Sequence, residues 1–137
     1  MSDSAILRTL QQAVRDYAVP QSIAPTLPVK YIDITFTVPN SQKYLELVHI
    51  PNNRNGDFWG VEKNHRGLFR MILHWPKSGT GPYTPIETIE SIAGYFKTNR
   101  LLDGVQIYEA PDFTGSLDMG QELLYPMGLR YQSYRRT

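Results

Sequence analysis

The residues of this chain best placed for chemistry lie in the stretch His74 to Tyr83, HWPKSGTGPY, where a lysine, a serine and two glycines stand at the turn from a strand into a helix. Backbone N–H groups and the positive end of a helix converge at such junctions, and chains use them to hold phosphate. The residue order argues against that use. A Walker-type loop carries its lysine and hydroxyl after the glycines, at the helix start, whereas Lys77 and Ser78 precede Gly79 and Gly81. Pro82 and Pro85 remove two N–H donors, and Glu87 fills the favourable anion position with its own carboxylate. The stretch reads as a Gly/Pro turn ending in a self-capped helix, with Thr84 at the N-cap, Pro85 at the first helical position and Glu87 completing a capping box.

Other chemistry finds little to start from. His49, His65 and His74 are the only histidines, and none has a partner at metal-ligand spacing. His49 and His74 fall in strands and read as satisfied or exposed imidazoles, while His65 falls in a loop with no acid that the sequence places beside it. No serine occupies a G-x-S-x-G elbow. Glu87 and Glu90 stand three apart on a helix whose cap already accounts for one of them. The chain has no cysteine, which excludes disulfides, thiolate zinc sites and cysteine nucleophiles. The expectation is no catalytic residue, no metal, no cofactor and no enzyme.

Binding is left, and two patterns bear on it. In FWGVEKNHRGLFR, Phe58 and Trp59 stand together with Lys63, Arg66 and Arg70, the mixture of aromatic and basic residues that nucleic-acid binding uses, so one reading is a small nucleic-acid-binding module using the loop 54–70. In the other, Trp59 packs the loop onto the sheet and the bases form a solvated rim. The second pattern is local charge. Lys plus Arg number 14 and Asp plus Glu 13 overall, too even a balance for a global field toward nucleic acid or membrane. Yet Asp103, Glu109, Asp112, Asp118 and Glu122 fall in one stretch without a single Lys or Arg, and the segment before it and the tail with Arg130, Arg135 and Arg136 are basic. Opposite charges on separate surfaces suit a head-to-tail contact between copies. Solvated loops of chance composition would show the same pattern.

The elements that position these residues emerge from periodicity. At 137 residues the chain is expected to form one domain, 1–137, with a core of its own. Ile6, Leu7, Leu10, Ala13, Val14 and Tyr17 recur at helical spacing and predict an amphipathic first helix. Pro20, Pro25 and Pro28 make an extended connector. Ile32, Ile34, Phe36 and Val38 alternate and predict a strand over 29–38; KYLELVHI predicts a second with both faces partly covered; GLFRMILHW predicts a third, halted by Pro76. Pro51 to Arg66 has no periodicity and reads as a long loop. Ile86, Ile89, Ala93 and Phe96 form the buried stripe of a second helix, TPIETIESIAGYFKTNR, with Lys97 and Arg100 suiting its C-terminal dipole. VQIYE is a short strand, Ala110 to Glu122 a loop, and LLYPMGLRYQSYR a last strand. Together these predict an α+β fold, a mostly antiparallel sheet of about five strands with two helices packed on one face. No run is long and apolar enough for a bilayer, and the N-terminus MSDSAILRTL carries acid where a signal peptide carries base, so a soluble, unexported chain is expected.

The succession YLEL, RGLFRMILHWPKSGTG, a helix ending in YFKTNRLLDGVQI, then LLYPMGLRYQSY resembles the tail terminator-like proteins of long-tailed bacteriophages. The features that carry it are Arg66 to Phe69 opening a strand, Pro76 with Gly79 and Gly81, the helix from Thr84, the short strand Gly104 to Ile107, and Pro126 to Tyr131 in the closing strand. The resemblance spans Tyr44 to Tyr134. It implies a structural virion subunit that forms a hexameric ring at the head-proximal end of the tail tube. Such a ring stops tube polymerisation and joins head-completion (neck) proteins, with DNA only as a passenger through the channel. It implies no catalytic residues and no cofactor, and a site of synthesis in the host bacterial cytoplasm. On this reading the residues expected at subunit or tube contacts are Arg54, Trp59, Lys63, His65 and Arg66, the acids Asp112 and Asp118, and Arg135 and Arg136 of the tail. The asparagine-rich segment Pro51 to His65 is longer than the family pattern leads one to expect.

Overall fold

The structure is a computed structural model and describes residues 3–51, 55–56, 62–77, 81–102, 104–113 and 115–136, with side chains at all of these except 3, 51, 55–56, 62–65 and 134–136. Helix α1 (Asp3–Ala13) runs directly into a π-helical turn, Val14–Ala18. Ile6, Leu10, Ala13 and Val14 are buried as the spacing predicts. The wider π turn, closed by Val19 N–H donating to the Val14 carbonyl at 3.1 Å, shifts the register of the residues after it. Ala18 and Val19 therefore turn inward, and Tyr17, expected in the stripe, is instead 49% exposed and stacked on Tyr95.

The sheet is mixed, not mostly antiparallel, and among the described residues it has eight strands rather than five. β1 (Val29–Lys30) pairs parallel with β2 (Tyr44–Pro51). β4 (Glu62–Pro76) lies antiparallel between β2 and β8 (Glu122–Arg136), and β6 (Val105–Phe113) pairs with the far side of β8. β5 (Leu101–Leu102), β3 (Asn55–Gly56) and β7 (Leu117–Asp118) add two residues each, to β6, β4 and β8, giving the path β1-β2-β4-β8-β6-β5. Two-residue strands carry no period, so alternation cannot reveal them.

Four sequence expectations are corrected. The strand predicted over 29–38 ends at Lys30: Asp33 takes a left-handed φ of 56° and turns the chain off the sheet. The Ile32 N–H is met by Gln11 Oε1 at 3.0 Å instead of a ladder partner, and Ile34 and Val38 are left exposed. The loop expected at 51–66 is in part strand, because β4 begins at Glu62, and the loop expected at 110–122 contains the end of β6 and all of β7. Helix α2 (Tyr83–Ala93) starts before Thr84 and stops well before Arg100; Pro82 is its N-cap, with no side-chain capping bond.

β4 and β8 pair along 15 residues each, a ribbon about 50 Å long at 3.3 Å per residue. Alternate residues go to opposite faces. Leu45 and Leu47, Phe69, Met71 and Leu73, Tyr125, Met127, Leu129 and Tyr131, and Val105 and Ile107 form one buried cluster with Ile6, Leu10 and Val14 of the first helix and Ile89, Ile92 and Phe96 at the second. The helices thus cover the odd-numbered face. The even-numbered face bears Val48, Ile50, Leu68 and Ile72, none of which joins that cluster.

Candidate functional site

Charged residues mark both ends of the long ribbon. At the β3 end, register sets Lys63 opposite Arg135, Glu62 opposite Arg136, His65 opposite Ser133 and Arg66 opposite Gln132. Bases that the sequence holds far apart, in the segment before β4 and in the tail, therefore meet across one ladder. Arg66 is exposed and sits 5.8 Å from the centre of the Tyr108 ring, a cation–π distance. Arg54 and Trp59 lie outside the described residues, as do Ser78, Gly79 and Asp103.

The described acids of the acidic stretch, Asp112 apart, are paired inside the protomer. Lys77 Nζ donates to Asp118 Oδ2 at 2.7 Å, and the Gly120 N–H donates to Asp118 Oδ1 at 2.9 Å. Lys77, and after it the Gly120 N–H, hold the Asp118 carboxyl below its ordinary range. The lysine that first suggested a phosphate thus serves a neighbouring acid in a solvated pair, an interaction that contributes little. Glu109 pairs with Arg130 at 3.1 Å. Asp112 is exposed in β6, in register with Gly128, and makes no ion pair or hydrogen bond among the described residues. The acidic stretch is therefore less a free surface than it reads, with Asp112 the uncommitted member among its described acids.

His74 is buried and satisfied. Its Nε2 lies 2.8 Å from Glu46 Oε1 and its Nδ1 3.3 Å from Glu122 Oε1, so whichever nitrogen carries the proton has an acceptor. Tyr44 stacks on the ring at 4.2 Å with 9° between planes, and Lys30 Nζ reaches Glu46 Oε2 at 3.6 Å. Burial first, then the Glu122 and Glu46 carboxylates, push the Tyr44 phenol up. The cluster clamps β2, β4 and β8 together. No group of three or more potential ligands could hold a metal among the described residues. Sequence reading missed this clamp because Glu46 and Glu122 reach His74 diagonally from two other strands; the one signal was Glu46 sharing the parity of Tyr44.

Gly67 has a comparable structural cause. The Tyr131 ring lies directly over it, leaving no room for a Cβ, and the Tyr131 hydroxyl bonds His49 Nε2. The glycine of the Arg66–Phe69 run within β4 is thus a packing requirement, since only glycine admits that buried tyrosine.

What this arrangement offers is contact surface of two kinds, a ribbon end with basic positions in register and a sheet face that no helix covers, on an α+β protein with no metal cluster among the described residues. The chain belongs to the phage tail terminator protein family, whose model matches residues 5–131. A search of curated proteins finds no match. One solved structure resembles the chain at a TM-score of 0.78 with 22% identity, covering 97% of this chain and 96% of that one; it supports the fold alone. No described helix is long and apolar enough to cross a membrane. Membership of that family supports a structural role in a phage tail.

Proposed function

We propose that this chain caps the head-proximal end of a phage tail tube as a homohexameric ring, ending tube polymerisation and presenting the junction to head-completion proteins, with DNA passing through its channel. The observation that carries the reading is the family match across residues 5–131. Near-neutral net charge, +1, supports it, because subunits that pack side by side cannot all repel. Arg54, Trp59, Lys63, His65, Arg66, Arg135 and Arg136 make the basic contact to a neighbour or to the tube. Asp112 makes the acidic one, Asp118 contributing only by exchanging Lys77 for an outside partner.

The experiment is to add the chain to polymerising tail tube protein and to measure tube lengths in electron micrographs. Tubes ending in a ring and no longer growing are expected. Unlimited growth with bare ends contradicts the reading. A DNA affinity that falls steeply with salt while no ring forms favours the nucleic-acid-binding module instead, its bases being those that the β4–β8 register brings together.

A further inference from the structure

The helix-free face of the sheet carries an aliphatic patch among its polar residues. Across the strands, register aligns Ile50 with Leu68, Val48 with Arg70, and Glu46 with Ile72, so that four aliphatic side chains surround Arg70. Ile50 is 44% exposed, and Val48, Leu68 and Ile72 are only half-buried. Gly128, next to Arg70 in β8, opens a notch over which Leu68 and Arg70 lean: a Cβ there would lie 3.1 Å from Leu68 Cδ1 and 3.6 Å from Arg70 Cγ. Arg70 makes no ion pair or hydrogen bond among the described residues. Glu46 and, across Gly128, Asp112 are the nearest acids by register, yet Arg70 pairs with neither, which leaves its half-buried guanidinium able to take a carboxylate from a second molecule.

The protomer carries such carboxylates on another surface. Along α2, Tyr83, Glu87, Glu90 and Gly94 are all exposed at spacings of four, three and four, so they share one outward stripe. Tyr83 is 75% exposed. Neither Glu87 nor Glu90 has a cationic partner among the described residues, and like charges at this spacing oppose the helix until a cation meets them.

We infer that the helix-free sheet face docks a second copy of this chain, which presents its Tyr83–Glu87–Glu90 stripe to Arg70 and the surrounding Val48, Ile50, Leu68 and Ile72. The inference rests on the ring reading. A contact between two different surfaces of one protomer is heterologous, and such contacts close into rings or run on as filaments. Tyr83 supplies the aromatic anchor and the Arg70 pair the register.

The test uses the full chain and measures weight-average mass against concentration at low salt, by sedimentation equilibrium. Arg70→Glu alone, and Glu87→Lys with Glu90→Lys, are each expected to weaken self-association about tenfold or more. The chain carrying all three changes restores it, because every interface then pairs the introduced carboxylate of one copy with the introduced ammonium groups of the next; restoration also shows that the variants fold. If the partial variants assemble like the native chain, or if the triple variant stays weak, the inference is overturned and the ring reading stands on other surfaces. If the native chain forms no ring alone or on its tube, both fail.

Discussion

Phe69 and Leu68 are neighbours in β4, yet Phe69 is fully buried beneath the helices and Leu68 is half-buried on a face that no helix covers. The same strands thus build two surfaces of different purpose. The helix-covered face closes the core of one chain, and the other face keeps apolar surface in reserve for a neighbour. The difference shows why a stable fold and an assembly surface can share a sheet: alternation lets one face be optimised for packing while the other stays adjustable.

The largest expected effect comes from breaking the covered face. Phe69→Ala should cost about 3–5 kcal/mol in urea unfolding, from lost burial plus the cavity left behind. Leu68→Ala, one residue away, should cost about 1 kcal/mol and reveal itself in weaker assembly. Equal losses at the two positions would erase the distinction between the faces. Gly67→Ala comes next, at about 1–3 kcal/mol, because its methyl group meets the Tyr131 ring. Pairing it with Tyr131→Leu should recover part of that loss, a non-additivity that a thermal melt can read.

His74→Ala should rank below Phe69→Ala and Gly67→Ala at about 1–2 kcal/mol, since it removes the hydrogen-bonding partner of Glu46 and Glu122, both partly solvated. The smallest effect belongs to Lys77→Ala, which should leave the melting temperature unchanged at neutral pH. Asp118 has a lowered folded-state pKa, so whatever the pair contributes is present above the ordinary carboxylate pKa and disappears as pH falls through the lowered value. A large shift in the melt at pH 7 would show the pair to be more than a solvated contact.

The parts legible in the sequence were those with a local period. Leu45 and Leu47, Phe69, Met71 and Leu73, and Ile89, Ala93 and Phe96 fall where alternation or helical spacing sets them. The parts that were not legible depend on distant partners or single backbone torsions. Residues 62–66 lack alternation and read as loop, yet they pair with 132–136 far along the chain. Ile32 to Val38 alternate like a strand, and one left-handed Asp33 takes them off the sheet. For the candidate site, the separation of basic and acidic segments was visible. That Lys77 would neutralise Asp118 while Asp112 stayed free depends on where β7 returns, and composition does not encode it. The parity of Val48 and Ile50 already pointed to a second partly covered face; the free arginine at its centre required the register.

Oxidative footprinting of the free and the ring-assembled chain tests the two-face account most directly. In the free chain Leu68 and Ile72 should be modified while Phe69 and Leu73 stay protected, and in the assembled ring Leu68 and Ile72 should become protected as well. Leu68 and Ile72 modified to the same extent in ring and free chain would contradict it.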